Sequence, residues 1–216
     1  MSTYKPIASL TLMLGLGLTT AASAATPDIP YRWPPSVGTK PVYIHSAMPA
    51  LCDRGVLYAL DTWNQAGARF AFTWPSNPIT PYRHTEQGTT QDRASITVED
   101  GPMPSEHPYA QAATYKTLGT DGYIVDADII VNRNYLFYGS NNTGAFYCAA
   151  DRTSPPPSTK YDYQTVMAHE LGHVIGFDEY YDDARCVTYA YLDYGDARRS
   201  LCTAEYLAFR SRYGVR

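Results

Sequence analysis

The chain has 216 residues, 44% hydrophobic and 18% charged, with a formal net charge of −4. That length suits one domain with a sizeable core, and the balance of residues is that of a globular protein with few charges. A negative chain without a basic stripe has nothing to neutralise phosphates, which excludes nucleic acid as the expected partner. Tyrosine is abundant at 20 residues; its amphipathic rings suit a solvated surface, with an aromatic groove as the sharper alternative.

Lys5 is the only charged side chain ahead of an apolar run at 7–18, and Ala22-Ser23-Ala24 follows. These are the n-region, h-region and A-x-A site of a signal peptide over 1–24. The run is too short for a membrane span, so no membrane partner is expected. The mature chain, 25–216, is expected to be one domain, secreted to the extracellular space or the periplasm, and monomeric. Export makes the even set Cys52, Cys148, Cys186 and Cys202 a candidate for two disulfides. Three pairings are open. In one, Cys186 with Cys202 clamps a loop late in the chain, and Cys52 with Cys148 ties an early helix to the middle. No C-x-x-C pair suggests zinc held by cysteine.

Residues 25–40, rich in Pro and Gly, read as an extended lead-in. Alternation at 41–45 predicts a strand. Val56, Leu57, Leu60 and Trp63 follow helical spacing over 50–66, with Trp63 as a core anchor and Gly67 as the stop. Strands are predicted at 70–74 and 95–99, with a surface loop at 75–93 between them and another loop at 102–110. Two more, 113–118 and 123–131, flank Asp121-Gly122, a hairpin signal. Asp126 and Asp128 share one face of their strand, expected to be an outward polar face, with calcium as an unsupported alternative. Residues 132–148 read as irregular, and 154–158 as a stiff polyproline loop. His45, His84 and His107 read as ordinary polar residues; a second zinc on His84 or His107 is the alternative.

The next helix is predicted over 163–175, with Asp162 as its N-cap and Gly176 as its stop. It carries His169-Glu170-Leu171-Gly172-His173. Residues four apart share a helix face, so His169 and His173 can meet one metal ion with Glu170 beside them. Gly176 lets the chain reverse, and three residues on, Glu179 can supply a third ligand; Asp178 is the next candidate, with Asp182 and Asp183 nearby. Two imidazoles, a carboxylate and an open fourth position describe a catalytic zinc. The expected chemistry is hydrolysis by a zinc-bound water, with Glu170 as general base and then as acid towards the leaving amine. A short closing helix is predicted at 203–213, ended by Gly214. Strand, helix, strands, helix, helix predict an α+β domain, a mixed sheet backed by helices. Val166, Leu171, Val174 and Ile175 should face that sheet.

The motif H-E-x-x-H-x-x-G-x-x-E resembles the metzincin clan of zinc endopeptidases, especially its matrixin-like members. Arg32-Trp33-Pro34, Trp63 late in a helix, and the run Ala127-Asp128-Ile129-Ile130-Val131-Asn132 are similar to matrixin landmarks. Cys186-Val187-Thr188-Tyr189-Ala190-Tyr191 is similar to the Met-turn segment, and 201–214, ending in Tyr213-Gly214, resembles the closing helix. The resemblance covers most of the mature chain; H-E-x-x-H-x-x-G is its specific part. It implies a metzincin-like zincin fold: a twisted sheet, a backing helix, an active-site helix below a cleft, and a small C-terminal subdomain. It also implies one catalytic zinc and cleavage of protein or peptide bound along an edge strand. Two positions depart from the pattern. Glu179 stands where most of the clan has His and some small secreted bacterial members have Asp. Thr188 stands in place of the Met-turn methionine, which should weaken the apolar floor of the site. Tyr189 or Tyr191 would assist at the oxyanion, as a Tyr does in some relatives. A non-catalytic binding protein on the same scaffold, and a zinc hydrolase of a non-protein amide, are the competing readings.

Overall fold

The computed structural model describes residues 25–45, 48–75, 79–80, 95–103, 105, 108–135 and 144–216, with backbone alone at 79–80. The 1–24 segment, His84 and His107 lie outside the described residues.

The chain alternates strands and helices in an α+β order. It runs β1 (Thr39–His45), α1 (Asp53–Asn64), β2 (Ala71–Thr73), β3 (Ile79–Thr80), β4 (Ile96–Gly101), β5 (Ala112–Leu118), β6 (Ile124–Asn132), β7 (Phe146–Tyr147), β8 (Tyr161–Asp162), α2 (Tyr163–Ile175) and α3 (Thr203–Tyr213). The main sheet has the order β2-β1-β4-β6-β5, with β3 pairing the end of β1. Its pairs are parallel except for the β5–β6 hairpin. That hairpin closes through Gly119 N–H to Tyr123 O at 2.9 Å and Gly122 N–H to Gly119 O at 3.0 Å. It leaves β5 at the edge of the sheet.

Strand β1 buries every second residue, Lys40, Val42 and Ile44, the period of a pleated strand with one covered face. Strand β6 is different. All its residues but Val125 are buried, because it lies between β4 and β5 and both its faces are covered. The outward face expected for Asp126 and Asp128 is therefore absent: they are 1% and 0% exposed, and Asp128 Oδ1 accepts the Thr97 N–H at 2.8 Å. Period 2 put them on one face correctly; what covers that face was not legible from the strand itself.

Three other expectations need correction. Strand β4 runs on through Gly101 instead of ending at Glu99. Ile79–Thr80, inside the expected loop, adds to β1. Phe146–Tyr147, expected to be irregular, pairs in parallel with Tyr161–Asp162, which fixes the residue that caps α2.

Helix α2 packs against both the sheet and α1. Trp63, fully buried, donates its indole N–H to Ala168 O at 2.8 Å. Its ring meets Phe177 at 5.1 Å and Phe209 of α3 at 5.5 Å between centroids. One side chain thus ties α1, α2 and α3 together. Of the three pairings, the structure has Cys52–Cys148 and Cys186–Cys202, with sequence separations of 96 and 16. On a chain-entropy model such loops stabilise by about 4.7 and about 3 kcal/mol respectively. Among the described residues no helix is long and apolar enough to cross a membrane.

Candidate metal centre

Helix α2 begins where the sequence placed it. Asp162, fully buried, accepts from Thr165 N–H at 3.2 Å and Thr165 Oγ1 at 2.7 Å. Arg199 neutralises it through two bonds, Nη2 to Oδ1 at 2.6 Å and Nε to Oδ2 at 2.8 Å. A cap of this kind stabilises by about 0.5–2 kcal/mol. The helix ends at Gly176, whose φ of +111° turns the chain back. Beyond it, Asp178 N–H donates to Asp28 O at 3.0 Å, and Tyr180 N–H donates to Thr188 O at 3.0 Å. Glu179 sits between these two anchors, so its side chain is delivered to the helix face that carries the histidines.

The three candidate ligands converge. His169 Nε2 and His173 Nε2 are 3.0 Å apart. The Glu179 oxygens lie 3.6 Å from His169 Nε2 and 3.4 Å from His173 Nε2. A tetrahedral ion with N and O ligands at about 2.0–2.2 Å has ligand–ligand edges of about 3.3–3.6 Å. Both carboxylate distances fall in that range, and the imidazole pair, at 3.0 Å, would open by a few tenths of an ångström around an ion, so the donor set fits zinc. The tautomers fit as well. His169 Nδ1 faces Val187 O at 3.0 Å and His173 Nδ1 faces Phe177 O at 2.9 Å. A carbonyl can only accept, so each Nδ1 carries the proton and each Nε2 keeps its lone pair for a metal. Asp178, the alternative third ligand, is exposed and outside the cluster. Asp126 and Asp128 belong to no group of three candidate ligands among the described residues. The other such group there, Cys186, Cys202 and Glu205, has its sulfurs bonded to each other.

Below the histidines, Thr188 is fully buried. Glu205 Oε1 accepts from Thr188 N–H at 2.6 Å and from its hydroxyl at 2.8 Å, while Glu205 Oε2 accepts from Cys202 N–H at 2.9 Å and caps α3. The Thr188 methyl lies against Gly172, where an added Cβ would come within 2.8 Å of it. In place of an apolar methionine floor, the chain has a packed and hydrogen-bonded one, centred on a buried carboxylate. Replacing Thr188 by Met should destabilise the protein by about 1–3 kcal/mol, because it overfills the site and removes a donor from Glu205. Thermal melting checks this, and a higher melting temperature would refute it.

Glu170, 5% exposed, lies beside His169 and Glu179 on the wall of a cavity of about 140 Å³. Tyr189, Val166, Leu192 and Arg198 complete much of that wall. Of the two tyrosines proposed from sequence, Tyr189 lines the cavity; Tyr191 is 65% exposed and stacks edge-on against Tyr189, their centroids 5.8 Å apart. Arg198 is buried and donates to the carbonyls of Cys186 at 3.4 Å, Tyr189 at 3.2 Å, and Tyr191. It ties the floor segment together, and burial lowers its pKa while Asp196 resists.

Electrostatics follow from the carboxylates. Burial acts to lower the His169 pKa, but Glu179 and Glu170 outweigh it and hold the imidazole above its ordinary value. Burial acts to raise Glu179, and the two imidazoles overcome that, holding it well below the usual carboxylate range. On β5, burial lowers the Lys116 ammonium pKa against the pull of Asp178, Glu170 and Glu179. In the metal-free chain the raised His169 pKa stabilises the fold below the ordinary imidazole pKa, and that contribution is lost as pH rises through the raised value. Zinc must displace that proton. Zinc affinity should therefore fall by about tenfold per pH unit below the raised His169 pKa, and competition titration against a chelator at pH 8 and pH 6 checks it; equal affinities would contradict it.

Several working residues carry no sequence signal. The carbonyls of Val187 and Phe177 orient the histidines, and a backbone oxygen looks alike at every position. Thr114, in the middle of β5, donates to Glu170 and is an ordinary strand residue by composition.

No protein-family model matches the chain, and no curated protein does. Among solved structures it is similar to high choriolytic enzyme 1, a hatching enzyme zinc-protease from Oryzias latipes (medaka fish). That match has 11% identity and a TM-score of 0.46 over 87% of this chain and 96% of the other. It is also similar to myroilysin, at 13% identity and a TM-score of 0.36 over 86% of this chain and 96% of the other. At these scores the likeness extends to neither residue roles nor substrate.

Proposed function

We propose that the chain is a secreted zinc-dependent endopeptidase, a matrixin-like metzincin with Glu179 as its third metal ligand. The observation that carries this reading is the convergence of His169 Nε2, His173 Nε2 and a Glu179 carboxylate within 3.0–3.6 Å of one another, with both Nδ1 atoms committed to carbonyls. His169, His173 and Glu179 would hold the ion. Zinc, when bound, supplies a Lewis acid that polarises a carbonyl and lowers the pKa of a coordinated water to about 7.

The chain's own residues do the rest. Glu170 takes a proton from the attacking water and returns it to the leaving amine. Edge strand β5 borders the cavity and offers backbone to an extended peptide. The Tyr189 phenol, on the cavity wall, donates to the oxygen that gains charge. The 1–24 segment and the two disulfides support export into an oxidising compartment.

The test uses the purified mature chain. It should hold one zinc, cleave casein or gelatin, lose that activity to a chelator and regain it with added zinc. A chain that binds no zinc overturns the reading. A zinc-loaded chain that cleaves neither protein overturns the endopeptidase assignment in favour of a binding protein or a hydrolase of another amide. Glu179→Ala should lose most of its bound zinc on dialysis, and full retention would remove Glu179 from the ligand set.

A further inference from the structure

The hydroxyl of Thr114 lies 2.7 Å from Glu170 Oε2 and 3.0 Å from the Glu170 carbonyl oxygen. Both contacts join the edge strand to the residue assigned as base. We propose that Thr114 is the positioning residue for Glu170, fixing which carboxylate oxygen exchanges the proton. This rests on the endopeptidase reading of Glu170.

A threonine hydroxyl has one proton to give. Its two acceptors here are unequal, since a bond to an ionised carboxylate is shorter and stronger than one to an amide carbonyl. The two distances rank them the same way. Oε2 is therefore the oxygen held by Thr114, and Oε1 is left to take the proton from water and return it. When Oε1 is protonated, Oε2 is still an acceptor, so the bond persists in both states. The carboxylate then does not have to be oriented anew in each cycle, which is where preorganised groups gain their advantage.

Thr114 is well placed for this task. It pairs with Ile129 of β6 in the middle of the hairpin ladder, six residues of which are in unbroken register from Ala112↔Val131 to Thr117↔Asp126. Its β-branched side chain has few rotamers in a strand. Glu170, by contrast, has three rotatable side-chain bonds, and beside an open cavity it would sample several orientations. A strand–helix staple through the Glu170 carbonyl alone is the competing account of the same contact, and the two can be separated.

Thr114→Val keeps the shape and removes the hydroxyl. Its kcat for casein-derived peptides should fall by about ten- to hundredfold, the worth of one charge-assisted hydrogen bond, with KM within about twofold and zinc content unchanged. Thr114→Ser should recover kcat to within about threefold. An unchanged kcat in Thr114→Val, or no recovery in Thr114→Ser, overturns the proposal. A second readout does not need catalysis. In the metal-free protein, Thr114→Val should lower the melting temperature more in the wild type than in Glu170→Ala, which keeps the backbone carbonyl but lacks the carboxylate. Equal shifts in the two backgrounds overturn the proposal and leave the staple. If the wild type cleaves nothing, the endopeptidase reading fails, and the melting cycle still decides Thr114.

Discussion

Glu170→Gln should lower kcat for peptide hydrolysis by about 10²–10⁴-fold, the usual contribution of a positioned general base, while the chain keeps its zinc. The substitution is isosteric, and a glutamine amide can still accept from Thr114, so the buried position at 5% exposure stays filled and bonded. His169, His173 and Glu179, whose facing atoms are 3.0–3.6 Å apart, are untouched. What is lost is the ability to hold a proton at an oxygen beside the metal ligands. Zinc content by atomic absorption and kcat on a fluorogenic peptide check both halves. A variant within tenfold of wild type would show that Glu170 is not the base. A variant that loses its zinc would show that Glu170 is part of the binding set.

The parts of this site that could be read in the sequence are those governed by local spacing. Helical period puts His169 and His173 on one face, Asp162 is a good acceptor for first-turn N–H groups, and Gly176 is the residue type a left-handed stop requires. The boundaries of α2 and α3 follow from the same signals and agree with the structure at both ends. What was not legible depends on distant segments meeting. The bond from Asp28 O to Asp178 N–H joins the lead-in to the residue beside Glu179. Spacing from Gly176 names Glu179 first and Asp178 next, but the contact that anchors the backbone beside Glu179 comes from a segment far away in the chain, which local spacing does not register. Glu205 is similar. The sequence analysis assigns it no role, yet it is fully buried, with both oxygens used by Thr188 and Cys202. A carboxylate inside a protein is tolerated only when its bonds are made, and those partners lie in a turn that local patterns do not define. Asp126 and Asp128 show the same limit, since pattern gives a face but not its cover.

Gly176→Ala should cost about 3–5 kcal/mol and strip the chain of tight zinc binding. The backbone at Gly176 has φ of +111°, beyond the left-handed region that L-residues reach at modest cost. Space is a second obstacle: a Cβ there would stand 2.2 Å from Tyr31 O and 2.8 Å from Tyr31 C, both backbone atoms that cannot rotate aside. Gly67 separates these two effects. Its φ is +65° and an added Cβ meets nothing within 4 Å, so Gly67→Ala should cost only the conformational strain, about 1 kcal/mol. For a protein of this size the difference corresponds to a melting temperature lower by roughly 5–15 °C in Gly176→Ala. The functional loss follows from what the turn carries. Phe177 O fixes the His173 tautomer at 2.9 Å, and Glu179 lies three residues past the reversal. If the backbone at 176 relaxes to a negative φ, both are displaced while His169 and His173 remain on α2. Displacing the Phe177 carbonyl that orients His173 should by itself weaken zinc binding by about 10–100-fold, and displacement of the Glu179 carboxylate adds to that loss. Thermal melting and zinc competition on the two variants decide the matter: equal losses at Gly67 and Gly176, or full zinc affinity in Gly176→Ala, would refute the role of the turn in delivering Glu179.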